Sequence, residues 1–351
     1  MRALHAYAKS DPSRLVLEDA PVPAVGAEDV LVRVHASGVS PGELDWPGIW
    51  LRHGGAPRTL PIVPGHEVAG VVDTIGTAAT GLAVGDEVFG YTDVRRDGAN
   101  AEYVAVRADE LAPKPVTLTH VQAAAIPLSA LTAWQALFDH GGLAPGQRVL
   151  VHGGAGGVGT FAVQLAHWRG ARVVATSSAR DTDIVRELGA DDVIDYRARR
   201  FEDTVADLDL VIDTVGGDPW ERSWNVIRPG GRLVSIAVPR PPDREEPDGR
   251  RAIWFVVKPD RNQLIEIAGL VDHGRIRPIV SEVLPLARGR EAYGTTGRRG
   301  PGKVVLSVPG VMEGQAEPLS TEDARPVAAA PPLRKRTAWH SSLWAHPCSD
   351  G

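Results

Sequence analysis

Residues 151–159 read Val151-His152-Gly153-Gly154-Ala155-Gly156-Gly157-Val158-Gly159. Gly154, Gly156 and Gly159 fit the spacing G-x-G-x-x-G, which lets backbone amides close around a diphosphate. Alone, that spacing is a weak signal. Here it follows an apolar strand-like run, residues 148–151, and opens a helix-like run, residues 158–169. That strand–turn–helix context marks a dinucleotide site. Gly154 is expected to permit the tight turn after the strand. Gly156 lets the backbone approach the pyrophosphate, and Gly159 lets the helix pack near the strand. Free amides at the helix start, with Gly157 and Val158 included in the binding set, stabilise the anion together with the helix dipole.

The end of the next strand selects the dinucleotide. An NAD site usually places an acid there, about 20 residues past the loop, to hold the ribose 2′-hydroxyl. This strand ends Ala175-Thr176-Ser177-Ser178-Ala179-Arg180. No acid occupies the tip, and Asp181 follows as a helix opener. Thr176, Ser177 and Arg180 suit a 2′-phosphate, which a carboxylate would repel. Tyr196, ending the third strand, adds a hydroxyl or a stacking face. The expected cofactor is NADPH.

These groups need elements to hold them. After residue 117 the chain alternates strand and helix: a helix-rich stretch at 118–140 broken by Pro127, then strands at 148–151, 172–176, 193–196, 208–214 and 231–238. A helix at 181–188 closes on Gly189, a C-terminal cap. Strands without period-2 alternation are buried on both faces, and repeated strand–helix–strand order implies a parallel sheet. Residues 253–257 predict a further strand and residues 262–273 a helix. Residues 239–251 predict a mobile surface loop. The first third differs: short strands at 30–34, 67–72, 85–89 and 101–106, punctuated by Gly and Pro, predict a small irregular β-domain. A last strand, 304–308, is expected to return to it.

The 351 residues support two domains. A net charge of -6 offers no general attraction to nucleic acid or anionic membrane. The one cysteine, Cys348, excludes an intrachain disulfide and a cysteine-rich zinc site. It fits a reducing cytosol, and the N-terminus lacks a signal peptide's apolar core, so a cytoplasmic location is expected. The most apolar run, 121–138, is interrupted by Gln122, Pro127, Ser129, Thr132 and Gln135, and reads as a buried helix rather than a membrane span. Residues 309–351 are rich in Pro, Ala, Glu and Ser and are expected to form a disordered tail. Within it, Trp339 and Trp344 suggest docking, and residues 333–336 read as solvated charge.

Several motifs appear in a fixed order: Gly38-Val39-Ser40-Pro41, Pro64-Gly65-His66-Glu67-Val68-Ala69-Gly70, Val84-Gly85-Asp86-Glu87-Val88-Phe89-Gly90, Ala101-Glu102-Tyr103, Leu131-Thr132-Ala133-Trp134, the glycine loop, Asp213-Thr214-Val215-Gly216-Gly217 and Gly302-Lys303-Val304-Val305-Leu306. On these the chain, from about residue 2 to 308, resembles the medium-chain dehydrogenase/reductase superfamily, in its zinc-independent quinone oxidoreductase branch. The resemblance implies a GroES-like β-domain (residues 1–116, completed by 266–308) and a Rossmann doubly wound domain (117–265). The cleft between them would hold nicotinamide and substrate. It also implies a homodimer joined through edge strands, with residues 253–257 as the candidate edge.

In zinc-dependent relatives a Cys near position 39 and the His of Gly-His-Glu bind catalytic zinc. Val39 and Ser40 stand here instead, so no metal is expected, and His66 reads as structural. Glu67 has no metal-linked task. The resemblance implies Ser40 near the nicotinamide, where a local turn bond is the alternative. It implies Thr132 at the carboxamide or ribose, Val215 in the cofactor set, and Val256 and Val257 as a backbone segment holding the carboxamide. Asp45 and Tyr91, in segments expected to face the cleft, are candidates to relay a proton. Trp46, Trp50 and Trp134 are candidates to line an aromatic-accepting pocket. Without a Lewis acid, alcohol oxidation is disfavoured. Hydride transfer from NADPH to a quinone or to a C=C conjugated with a carbonyl fits. Two alternatives stand beside it: an enoyl reductase acting on an aromatic polyketide intermediate, and an NADPH-binding scaffold or redox sensor with little turnover.

Overall fold

The computed structural model describes residues 1–237, 240, 242, 244–294 and 300–308. The expected tail, with Trp339, Trp344, residues 333–336 and Cys348, lies outside the described residues, as does part of the loop expected at 239–251.

Two sheets organise the chain. β1 (Arg2–Ala6) and β2 (Leu15–Asp19) pair with each other in a separate two-stranded ribbon, and the first large sheet is built from β3 (Asp29–Val39), β4 (Glu67–Ile75), β5 (Glu87–Tyr91), β6 (Tyr103–Arg107) and β7 (Leu111–Pro113). β4 and β6 both run antiparallel to β3. This matches the short, turn-punctuated strands of the sequence, with β1, β2 and β7 added to the expectation.

Two short helices follow, α1 (His120–Ala124) and α2 (Pro127–Trp134). Thr119 and Gln122 form a reciprocal capping box at the start of α1. Pro127 sits at the first turn of α2, where its missing N–H costs nothing, so the expected break is a helix start. The chain continues through a wide π-helical turn, Gln135–His140.

The second sheet comprises β8 (Arg148–His152), β9 (Arg172–Ser177), β10 (Asp192–Asp195), β11 (Leu208–Asp213), β12 (Ile227–Ser235) and β13 (Arg251–Trp254). Helices α3 (Gly157–Trp168), α4 (Thr182–Glu187) and α5 (Asp218–Ser223) connect its strands. Its order is β10-β9-β8-β11-β12-β13 and all pairings are parallel. The winding reverses between β8 and β11, and in such sheets the crevice at the strands' carboxyl ends takes the ligand. β8 is buried on both faces from Val149 onward, which explains its unbroken apolar run.

The remaining elements are α6 (Arg261–Asp272), β14 (Val280–Pro285), α7 (Gly289–Gly294) and β15 (Lys303–Ser307). β15 pairs antiparallel with β3, as the last strand was expected to do, and β14, unexpected from the sequence, extends that sheet. Just before β15, the Gly302 amide donates to the Ala155 carbonyl at 2.9 Å, fastening the returning chain to the glycine loop. No helix among the described residues is long and apolar enough to cross a membrane.

Two expectations need correction. The strand placed at 253–257 is β13, Arg251–Trp254. Its neighbour β12 ends at Ser235, opposite Trp254, so the ladder stops there despite the apolar residues beyond. The tight turn after β8 is taken by Gly153, with φ of 74°, and not by Gly154. A Cβ on Gly154 would stand 2.9 Å from the Ala175 Cβ and 3.2 Å from Val185 Cγ1, so its role is close packing.

Candidate functional site

The glycine loop lies at the carboxyl end of β8, at the sheet's switch point. The Gly154 amide donates to the Thr176 carbonyl at 2.8 Å and the Gly156 amide to the Gly153 carbonyl at 2.9 Å, which closes the turn. A Cβ on Gly159 would fall 2.0 Å from the Gly153 oxygen, so α3 can approach the turn only with glycine there. Gly156 is exposed and Gly157 and Val158 are half-buried. The first amides of α3, a 12-residue helix, have no intrahelical acceptor and face this crevice.

A buried polar layer supports the loop from beneath. The Gly153 amide donates to Thr176 Oγ1 at 3.2 Å, and His152 bonds Thr176 at 3.3 Å and Ser223 Oγ at 2.9 Å. Burial lowers the His152 imidazole to about 4, keeping it neutral. Asp213, fully buried, accepts from the amides of Val215 and Gly216 and from Ser235. Thr176 therefore has its hydroxyl under the loop. Val215 is more than half exposed beside it.

At the tip of β9 the charges are arranged in a chain. Ser177 is buried and its hydroxyl donates to the Ser178 carbonyl. Asp181 accepts from Ser178 Oγ at 2.8 Å and from Arg180 at 3.0 and 3.2 Å. Arg180 holds that carboxyl below the usual range. Asp181 is thus committed to orienting an arginine that stays largely exposed. Arg197 stands 5.4 Å from the centroid of the exposed Tyr196 ring and adds a second positive charge.

The opposite wall is made by the first sheet. Ser40 follows β3 and begins a 3-10 turn, Pro41–Asp45, but its side chain does not cap that turn. Its hydroxyl instead accepts from Lys303 Nζ at 2.9 Å. Lys303 is buried and ion-paired with Glu67, which is 1% exposed. Burial pushes the Glu67 carboxyl up, while Lys303 pulls it back. The other Glu67 oxygen accepts the Leu128 amide at 3.1 Å. Gly157 touches this group, since a Cβ there would meet Lys303 Cδ at 2.9 Å and Ser129 Oγ at 3.1 Å. His66 is buried between Glu43 Oε1, 3.1 Å away, and the Arg96 carbonyl. Among the described residues no group of three His, Cys, Asp or Glu could hold a metal ion.

The other candidates are dispersed. Thr132 is buried and its hydroxyl donates to the Leu128 carbonyl at 2.6 Å, within its own helix. Val256 is exposed and Val257 half-buried. Their segment is held from the next residue, where Gln135 bonds both the amide and the carbonyl of Lys258. Asp45 is exposed on its turn. Tyr91 is buried, and burial, reinforced by Glu43 and Glu67, raises its phenol and keeps it protonated. Trp46 and Trp50 are half-buried. Trp134 packs against Phe138 and Trp168, with centroids at 4.9 and 6.3 Å, in a surface groove shared with Leu143 and Arg169. That groove lies toward the start of β8, away from the glycine loop. Lys303, Ser129, Arg197 and Asp181 were missed as parts of the site. Arg197 follows the singled-out Tyr196 directly, and Lys303 sits inside a quoted motif, but nothing local marks Lys303 as a partner of Ser40.

Residues 26–116 match the family model for the alcohol dehydrogenase GroES-like domain, and residues 188–306 match that for zinc-binding dehydrogenase. The chain is 31% identical to the mitochondrial NAD(P)H oxidoreductase RTN4IP1 of Danio rerio, across 89% of this chain and 91% of that one. It is 35% identical to 2-methylene-furan-3-one reductase of Solanum lycopersicum, covering 81% and 73%. The quinone oxidoreductase structure from Coxiella burnetii superposes with a TM-score of 0.79 at 29% identity, covering 88% of this chain and 99% of that one.

Proposed function

The chain belongs to the medium-chain dehydrogenase/reductase superfamily, and from that premise we propose an NADPH-dependent, zinc-free reductase of quinones or α,β-unsaturated carbonyls. It is an oxidoreductase of a GroES-like plus Rossmann architecture, and it uses a nicotinamide cofactor. Choice of NADPH rests on one observation: the strand tip presents Arg180 and Arg197, while its carboxylates are engaged, Asp181 by Ser178 and Arg180 and Asp195 by the Arg197 amide. A 2′-phosphate would meet two guanidinium groups there, with Tyr196 alongside.

The first amides of α3 would hold the pyrophosphate, and the segment ending at Val256 and Val257 would hold the carboxamide. Reduced nicotinamide, when bound, supplies the hydride. The zinc-free reading is supported by the donor set: Val39 and Ser40 stand where a thiolate would be needed, and His66 has both ring nitrogens in protein contacts. A ketone or quinone oxygen gaining negative charge then needs hydrogen-bond donors rather than a Lewis acid. The names of the tomato and Coxiella relatives support an enone or quinone acceptor. The single cysteine supports a reducing compartment such as the cytosol. β13, at the edge of the parallel sheet, is the surface through which we expect two copies to pair.

Purified protein given NADPH and a panel of quinones and enones tests the reading. Oxidation of NADPH by at least one acceptor, with NADPH bound more tightly than NADH and no stoichiometric zinc, is the expected result. Tight NADPH binding without turnover on any acceptor would leave the scaffold reading in its place.

A further inference from the structure

Glu67, Lys303 and Ser40 form a line from the interior to the cleft. Glu67 is 1% exposed and Lys303 7% exposed, while Ser40 is half-buried. Lys303 Nζ contacts Glu67 at one end and donates to Ser40 Oγ at 2.9 Å at the other. The lysine stem lies against Gly157, so the line passes beside the first turn of the dinucleotide helix. Stability does not account for it. A buried ion pair is seldom more stabilising than apolar side chains of the same size. Nor does the local backbone account for Ser40, whose hydroxyl leaves its own turn uncapped.

We propose that Ser40 is the proton donor to the acceptor's carbonyl oxygen and that Lys303, held by Glu67, is the positioning residue that recharges it. This rests on the reductase reading above. As the acceptor's β-carbon receives the hydride and its electron pair, the C=C electrons move toward the carbonyl and charge the oxygen. The Ser40 O–H bond breaks and an O–H bond forms on that oxygen. Ser40 Oγ then takes a proton from Lys303 Nζ, which regains one from solvent. The Glu67 carboxylate holds the ammonium in place and compensates its charge. A quinone carbonyl would be served in the same way.

Single-turnover hydride transfer decides the matter, measured for wild type, Ser40→Ala, Lys303→Met and the double variant Lys303→Met/Glu67→Gln. NADPH affinity and the melting temperature of each apo-protein are read in parallel. Loss of the proton donor should slow transfer on the order of 100-fold or more in Ser40→Ala and Lys303→Met. NADPH affinity should fall far less than the transfer rate, which separates the step from cofactor placement. Lys303→Met strands a buried carboxylate and lowers the melting temperature. The double variant removes both charges, so it should melt near wild type and remain slow. Wild-type rates in Ser40→Ala, or in the double variant, would overturn the proposal and leave the ion pair a structural latch. Wild-type protein that reduces no acceptor would instead remove the reductase reading, and this inference with it.

Discussion

The two walls of the cleft are built in opposite ways. On the Rossmann side, residues 153–159 are consecutive, and what they offer is mainly backbone: amides, a left-handed turn at Gly153, and the absence of Cβ atoms at Gly154 and Gly159. On the β-domain side, the chemistry lies in side chains from distant segments, with Ser40 and Lys303 separated by 263 positions. Backbone chemistry is local, so it is robust to how the rest of the chain packs and sensitive to a single methyl group. Side-chain chemistry across the sheets depends on register, and one buried charge without its partner undoes it.

The largest test of that contrast is Gly159→Val. The new side chain starts 2.0 Å from the Gly153 oxygen, so the loop and helix start must separate. A displacement of about 1 Å at such a site costs on the order of 100-fold, and NADPH binding, followed by fluorescence titration, should weaken at least that much. Equal affinity in the variant would mean that the loop does not hold the pyrophosphate.

On the other wall, Lys303→Met should cost about 3–5 kcal/mol of unfolding free energy in urea, because it leaves Glu67 buried and unpaired. Adding Glu67→Gln should recover most of that loss. If the single variant is as stable as wild type, the pair is not a buried charge pair in solution.

A smaller effect is expected from Arg180→Ala. It should weaken NADPH roughly tenfold or more, the scale of one charge-assisted hydrogen bond, and leave NADH unchanged. An equal loss for both dinucleotides would assign Arg180 to the fold rather than to the 2′-phosphate.

The smallest test uses pH. Each region contains a neutral imidazole: the buried His152 under the loop and the half-buried His35 on β3, both lowered to about 4 chiefly by desolvation. Neither ring nitrogen of His35 finds a partner among the described residues. The unfolded chain therefore binds more protons between pH 6.5 and about 4. The stability from these groups is fully present above that window and is lost as pH falls through it. Glu110 tilts the other way, since burial raises it to about 7, and its share is lost as pH rises toward 7. His35→Phe should flatten the acid limb of a urea-midpoint profile and leave the limb above neutral pH unchanged. An acid limb as steep as wild type would show that His35 titrates normally.

Much of the fold was legible because it is written in local patterns. Unbroken apolar runs gave the parallel strands, Pro127 marked a helix start, and Gly189, with φ of 108°, marked a helix end. The errors arose where a neighbour decides. β13 ends early because β12 does, and the turn glycine is Gly153 because Gly154 must fit between Ala175 and Val185. The hydroxyls show the same limit. The resemblance points to Thr132 and the strand tip to Thr176, and the structure engages both hydroxyls, one within its helix and one beneath the loop. The resemblance put Ser40 near the nicotinamide, but only the return of β15 beside β3 brings an ammonium to it.

The sequence by itself determined a glycine-rich strand–turn–helix loop after β8 and the absence of thiolates before residue 348. Those are properties of adjacent residues and of composition, and no packing can alter them. Only the tertiary structure decided that Asp181 orients Arg180, and that Glu67 faces Lys303. Those pairings form because burying a charge without a partner is costly, and which partner is within reach depends on how distant strands come to lie side by side.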